Sequence, residues 1–272
     1  WEFLNMSKDI QQQKQYNVLL IGEVCQDVYV FGNVSRLNPE APVPVLKKID
    51  KESKIGMSGN VQKNLNSVLP EVNITVIQND SQSLKKIRFI DKKSKYQLMR
   101  YDIEHSIKSL DFKDIPADEY DAIVISDYNK GLLTNDFISQ LCKKYEQTNI
   151  FVDTKKSNLK SFENCIIKLN EKENENAYNL NRSCSVIVTL GSSGCKYKEN
   201  KFKTNKVDVH DVCGAGDVFL ATLVARWLET KSIDSAIKTA NNCAALSVTK
   251  LGCYTIKRGE YENLRVCLKF IF

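Results

Sequence analysis

Histidine is almost missing from this chain: His105 and His210 are the only two. Cysteine is plentiful, at positions 25, 142, 165, 184, 195, 213, 243, 253 and 267, yet no Cys-x-x-Cys pair occurs. With so few imidazoles and no paired thiols, a zinc module is excluded. Nor is there any run approaching the ~20 apolar residues that a membrane span needs, and no secretory segment opens the chain. An odd cysteine count in a chain long enough to bury a large core then implies free thiols in a reducing cytosol, with the cysteines, Cys213 included, read as core residues. No basic arm is present either. The formal net charge of +6 comes from lysines and arginines scattered along the chain. It reads as a solvated surface or as a site for anionic substrates, and neither a nucleic-acid nor a membrane partner is expected.

The 42% apolar and 26% charged composition is that of a soluble globular protein. At 272 residues, one large α/β domain or two small ones would fit. Residues 1–16, including Gln11-Gln12-Gln13, are polar and aperiodic and are expected to form a flexible tail outside the fold, leaving 17–272 as one domain. A buried strand is expected at 17–22 and further strands at 29–32 and 43–46, with Pro39 and Pro42 keeping the linker between them extended and off any central strand. The spacing of Val61, Leu65 and Val68 predicts a helix over 58–69, ended by Pro70. A strand follows at 74–78 and a hairpin at 86–101. Strands at 122–127, 150–153, 165–169, 185–190 and 207–209 then alternate with a helix at 135–145 and a hairpin at 195–203, and two helices, 214–228 and 233–249, close the chain. This beat predicts a mostly parallel sheet covered by helices on both faces. The extended pieces at about 27–48 and 84–104 do not fit it and are expected to form a small β-sheet lid.

Loops and helix N-termini converge at the carboxyl edge of such a sheet. The polar residues there are Asp27, Asp127, Asp153 with Lys155, Asn170 with Glu173, Gly191 with Gly194, and the turn Asp211-Val212-Cys213-Gly214-Ala215-Gly216-Asp217. In that turn, small residues allow a ligand to approach the amides at a helix start, which makes an anion site. Asp217 would be repelled by a bound anion unless it has a role, and general base is the role we assign; a helix-capping Asp is the alternative.

The 211–217 turn resembles the C-terminal signature of the ribokinase-like (PfkB-type) carbohydrate kinases. Asn170-Glu171-Lys172-Glu173 matches that family's Asn-x-x-Glu motif, and Thr189-Leu190-Gly191-Ser192-Ser193-Gly194 resembles its nucleotide-side strand and turn. Ser35-Arg36-Leu37-Asn38-Pro39-Glu40-Ala41-Pro42-Val43-Pro44-Val45 is similar to the branch that phosphorylates heptose 7-phosphates. So are Gln97-Leu98-Met99-Arg100-Tyr101-Asp102 and Ser126-Asp127-Tyr128-Asn129-Lys130-Gly131. The resemblance implies a ribokinase-like fold and a kinase using ATP and Mg2+. Asp217 would be the base and the amides of Gly214, Ala215 and Gly216 the anion hole. Asn170 and Glu173 would place phosphate and magnesium, Glu173 through water, while Thr189, Gly191, Gly194 and Asn241 would line the nucleotide site. Asp27, Gly56 and Asn60 would hold the sugar; Arg100, Lys155 and Arg88 would bind a phosphate already on it. The plainer readings stay beside these: a capping Asn170 with a surface Glu173, a turn Asp27, solvated cations, hairpin glycines, and a satisfied, half-buried Asn241. Two positions depart from the family: Met57 stands where glycine is usual, next to the sugar, and Cys213 where threonine is usual. A kinase for another sugar or a nucleoside, or a non-catalytic binding module, are the alternatives. Dimers through the lid are implied as well. No nucleotidyl-transfer domain of the kind some related kinases carry is expected in the sequence up to Phe272.

Overall fold

The computed structural model describes residues 14–266. In chain order the strands and helices are β1 (Tyr16–Gly22), β2 (Val24–Asn38), β3 (Ala41–Met57), α1 (Ser58–Val68), β4 (Val72–Gln78), β5 (Leu84–Asp91) and β6 (Gln97–Glu104), then β7 (Ala122–Asp127), α2 (Asn135–Lys144), β8 (Ile150–Thr154), β9 (Cys165–Asn170) and α3 (Glu171–Asn176). They continue with β10 (Ser185–Thr189), β11 (Cys195–Tyr197), β12 (Asn200–Phe202), α4 (Ala215–Thr230), α5 (Ile233–Ser247) and α6 (Arg258–Val266).

The main sheet has the order β12-β11-β10-β9-β8-β7-β1-β4. Its strands from β4 to β10 run parallel, and β11 is antiparallel to both neighbours. Central parallel strands are buried on both faces, so they read as unbroken apolar runs. In β1, Val18 and Leu20 face one core while Leu19 and Ile21 face the other. The first core is closed by α1, α4, α5 and α6 and the second by α2. Helix α4 is apolar nearly all round because it is wedged between the sheet, α1 and α5.

Strands β3-β2-β5-β6 form the separate lid sheet. The short strands expected there are long ones: β2 and β3 make a continuous antiparallel ribbon, and the lid therefore spans residues 24–57 rather than 27–48. Pro42 and Pro44 lie in β3, an edge strand, where a missing N–H costs no ladder bond. Three further expectations need correction. Residue 16 already belongs to β1, residues 14 and 15 lead into it exposed, and 1–13 lie outside the described residues. Residues 207–209 form no strand; they run exposed with no pairing partner. A third helix, α6, follows the two expected ones and is anchored by the fully buried Tyr261, whose hydroxyl donates to Glu229 at 2.9 Å.

Glu23 ties the two sheets to the site. It lies in the single-residue step between β1 and β2, fully buried, and its carboxylate accepts the N–H groups of Tyr128 at 2.7 Å, Lys130 at 3.0 Å and Leu132 at 3.2 Å. Desolvation and the neighbouring Asp127 push its pKa up, and those three donors oppose the shift. Glu23→Ala strands three buried donors at once. We expect it to lower unfolding free energy by about 2–4 kcal/mol, measured by urea denaturation.

Candidate active site

The 211–217 turn is held open by its own backbone. Gly214 has φ 74°, and a Cβ there would lie 2.6 Å from Asn60 Nδ2, so only glycine fits. Asp211 fixes the approach, accepting the N–H of Cys213 and that of Gly252, both at 2.9 Å. The Ala215 N–H reaches the Val212 carbonyl at 3.3 Å, whereas the amides of Gly214, Gly216 and Asp217 have no acceptor among the described residues. Three unbonded N–H groups at the start of a sixteen-residue helix make an anion site.

Asp217 does not cap this helix. Its carboxylate is 3% exposed and accepts from Asn60 Nδ2 at 3.0 Å and from the Tyr128 hydroxyl at 2.9 Å. Desolvation raises its pKa to about 6; nearby Asp153 adds to the rise, and the Asn60 and Tyr128 hydrogen bonds oppose it. Asn60 is thus turned to Asp217 rather than to solvent. Its orientation is fixed by the buried Asn64, whose Nδ2 donates to Asn60 Oδ1 at 3.1 Å while its Oδ1 accepts the N–H of Ile256 at 2.9 Å.

Beneath the turn lies a buried ion pair, Lys168 Nζ to Asp153 at 2.7 Å. A Cβ on Gly216 would come within 2.9 Å of that ammonium, which places Lys168 directly under the anion site. Burial works to raise the pKa of Asp153, but the Lys168 and Lys155 ammoniums outweigh it and hold the group ionised.

A cavity of about 760 Å3 opens beside the turn, lined by Lys155, Asn170, Thr189, Gly191, Gly194 and Asn241 among others. Asn170 and Glu173 cap α3 reciprocally, each side chain accepting the other's N–H at 2.8 Å, and Glu173 also pairs with Lys155. The capping reading of Asn170 therefore describes its side chain. Asn241 donates to the Phe202 carbonyl at 3.0 Å while bordering the cavity. Among the described residues no three potential metal ligands converge. Glu173, on an adjoining groove with Lys155, Lys156 and Lys172, could hold a hydrated, phosphate-bound magnesium ion.

On the other side of Asp217, Asp27 is a lid residue of β2, not a turn residue, and forms an ion pair with Arg88. Gly56 leaves room for the Asp27 carboxylate to lie across β3. Met57 points into a small cluster with Cys25 and Leu84, against Tyr128. Cys213 and Cys253 are half-buried here, and the Cys253 thiol and the Arg88 guanidinium pull the pKa of Cys213 down to about 7. Cys267 lies outside the described residues. Arg100 shares a ladder position and hence a face with Arg88, but it is half-exposed at the lid edge and bonded to Asp102 at 2.9 and 3.0 Å.

Sequence reasoning assigned no role to Tyr128, Lys168 or Glu23. Lys168 left a signal, a charge in the middle of the apolar run Cys165-Ile166-Ile167-Lys168-Leu169, which a buried strand tolerates only with a partner.

Residues 127–258 match the pfkB family carbohydrate kinase model. The bifunctional protein HldE of a Nitratiruptor species is 31% identical over 297 residues, covering 90% of this chain and 64% of that one. The HldE of Helicobacter pylori is 31% identical over 86% of this chain and 63% of its own length. The chain thus spans less than two thirds of these relatives. In fold it is similar to phosphofructokinase-2 from Escherichia coli in complex with potassium, with a TM-score of 0.71 and 14% identity over 93% of this chain and 99% of that one. Ribokinase from Thermotoga maritima gives 0.64 and 17% over 92% and 99%. The fold is thus ribokinase-like, and residues 127–258 carry the PfkB carbohydrate kinase domain.

Proposed function

We propose that the chain is an ATP-dependent kinase that phosphorylates the anomeric hydroxyl of a heptose 7-phosphate in the cytoplasm. The observation that carries the kinase chemistry is the desolvated Asp217 carboxylate beside three unbonded amides. The likeness of the lid sequence to the heptose branch supports the acceptor. ATP would lie in the 760 Å3 cavity. Asp217 accepts the acceptor's proton, and its pKa of about 6 makes it a stronger base than an ordinary carboxylate while leaving it ionised at neutral pH. Asn60 and Tyr128 fix the direction of its lone pairs. The amides of Gly214, Gly216 and Asp217, with Lys168 beneath, meet the negative charge of the moving phosphoryl group. Glu173 would hold a hydrated magnesium ion, which would supply charge neutralisation for the nucleotide phosphates.

Asp217→Asn should lower kcat by about 10^2 to 10^4 while stabilisation by ATP with Mg2+ in a thermal-shift assay persists. Full turnover in that variant would remove the mechanism. In the parent protein, kcat should fall as pH drops through about 6, because protonation disables the base. Stability moves the opposite way. The folded pKa is raised, so neutral Asp217 favours folding at low pH and that contribution is lost as pH rises through about 6. Asp217→Asn should therefore have the higher Tm at pH 8, by up to about 3 kcal/mol in free energy, with the gap closing below pH 4.

We also propose that a second copy of the chain packs on the lid. Leu37, Val43, Ile49, Tyr96, Met99 and Tyr101 are all exposed on this one small sheet, a density that marks an interaction surface. Light scattering should show a dimer that Met99→Asp with Tyr101→Asp converts to monomer. A monomeric parent protein would end this reading. Among the described residues no helix is long and apolar enough to cross a membrane.

A further inference from the structure

Tyr29 is 4% exposed, and its hydroxyl is one of two buried side-chain polar atoms without a hydrogen-bond partner among the described residues. A buried, unpaired hydroxyl is costly unless something supplies its partner. The lid register shows what surrounds it. Asp27 pairs with Lys54 in one row, and Tyr29 pairs with Arg88 two residues on, so all four share a face. Arg88 is taken up by Asp27, and its guanidinium lies 5.3 Å from the Tyr29 ring centroid. Lys54 stands across from Asp27 yet makes no ion pair among the described residues; its ammonium extends instead to 5.6 Å from the Tyr29 ring.

The hydroxyl and the ammonium converge on one place, beside Gly252. An atom added there as Cβ would lie 3.1 Å from Tyr29 Oη and 3.4 Å from Lys54 Nζ. Gly252 itself has φ 72°, and its N–H is spent on Asp211. The next residue, Cys253, touches both ends of the acceptor site: its thiol donates to Asp27 at 3.6 Å and lies 3.3 Å from where a Gly214 Cβ would be. Cys253 thus bridges the 214–217 turn and Asp27, and the residue before it, Gly252, borders the place where Tyr29 and Lys54 meet.

We infer that Tyr29 and Lys54, backed by Arg88, form a second anion subsite that receives a phosphate monoester already present on the acceptor. Burial pushes the Tyr29 phenol far above its usual pKa, so it stays a neutral donor. Lys54 supplies the charge, and Asp27, neutralised by Arg88, does not repel the anion. Arg100 and Lys155 are then released from this role, being bonded to Asp102 and to Glu173 with Asp153.

The inference rests on the kinase reading, and its test separates the two. Binding of D-glycero-D-manno-heptose 7-phosphate and of the dephosphorylated heptose is measured by titration calorimetry without nucleotide, and turnover is followed by ADP release. Tyr29→Phe and Lys54→Met should each weaken the 7-phosphate by about tenfold or more, raising KM with little change in kcat. Tyr29→Phe should keep or raise Tm, because the hydroxyl it removes has no internal partner. Lys51→Met, on the opposite face of the same strand, should bind like the parent protein. Binding without turnover, lost in the two variants, would sustain the subsite while the kinase reading fails. Turnover of the 7-phosphate unaffected by either variant overturns the subsite alone, as does a parent protein that binds both heptoses equally.

Discussion

One carboxylate kept out of water sets the terms for the rest of this molecule. Asp217 cannot be desolvated without donors, and the two it has come from separate elements of the first half of the chain, Asn60 on α1 and Tyr128 after β7. Neither donor is rigid by itself. Asn64 locks Asn60 and is locked in turn by the backbone at Tyr254 and Ile256, while Glu23 gathers the 128–132 loop by three N–H groups. The Asp217 carboxylate is therefore positioned by a relay of buried polar groups, each satisfied, a condition under which such networks specify a geometry rather than weaken a core.

Charge is arranged around the same point. Asp217 and Asp153 raise one another's cost of ionisation, and Lys168 offsets it from below. A buried pair such as Lys168–Asp153 adds little net stability, since desolvation roughly cancels attraction. Its position under Gly216 argues that it is kept for the field it projects into the anion site. Removing one partner would leave an uncompensated buried charge beneath the 214–217 turn.

Much of this was legible in the sequence, because the relevant signals are local. Unbroken apolar runs gave the parallel strands, the spacing of Val61, Leu65 and Val68 gave α1, and the glycines before Asp217 gave the anion turn. What was not legible depends on contacts distant in the chain. Nothing near Asn60 says that it faces Asp217, 157 residues away. Tyr29 and Lys54 become neighbours only through the β2–β3 register. The lid strands were read as short because their alternation is broken by prolines and by runs of charge, features that an exposed edge strand accepts. Helix α6 escaped notice because only Tyr261 on it is buried.

The register of the lid also explains how one thin sheet can serve two purposes. Successive residues alternate faces, so Asp27, Tyr29, Lys86 and Arg88 point towards the site while Val28, Val30, Ile87 and Phe89 point away. A slip by one residue would turn these charges to the opposite face and empty the site. The junction that holds this register is Met57, where β3 passes into α1 at φ 57°, a conformation that costs a residue with a Cβ about 1–3 kcal/mol. Two bonds from Ser58 to the Glu23 carbonyl, at 3.0 and 2.6 Å, and the packing of Met57 against Tyr128 hold it there. A glycine at this point would relax the strain but free the lid from the helix. With methionine, the lid strand is joined through α1 and Tyr128 to the Asp217 carboxylate, which Asn60 and Tyr128 orient.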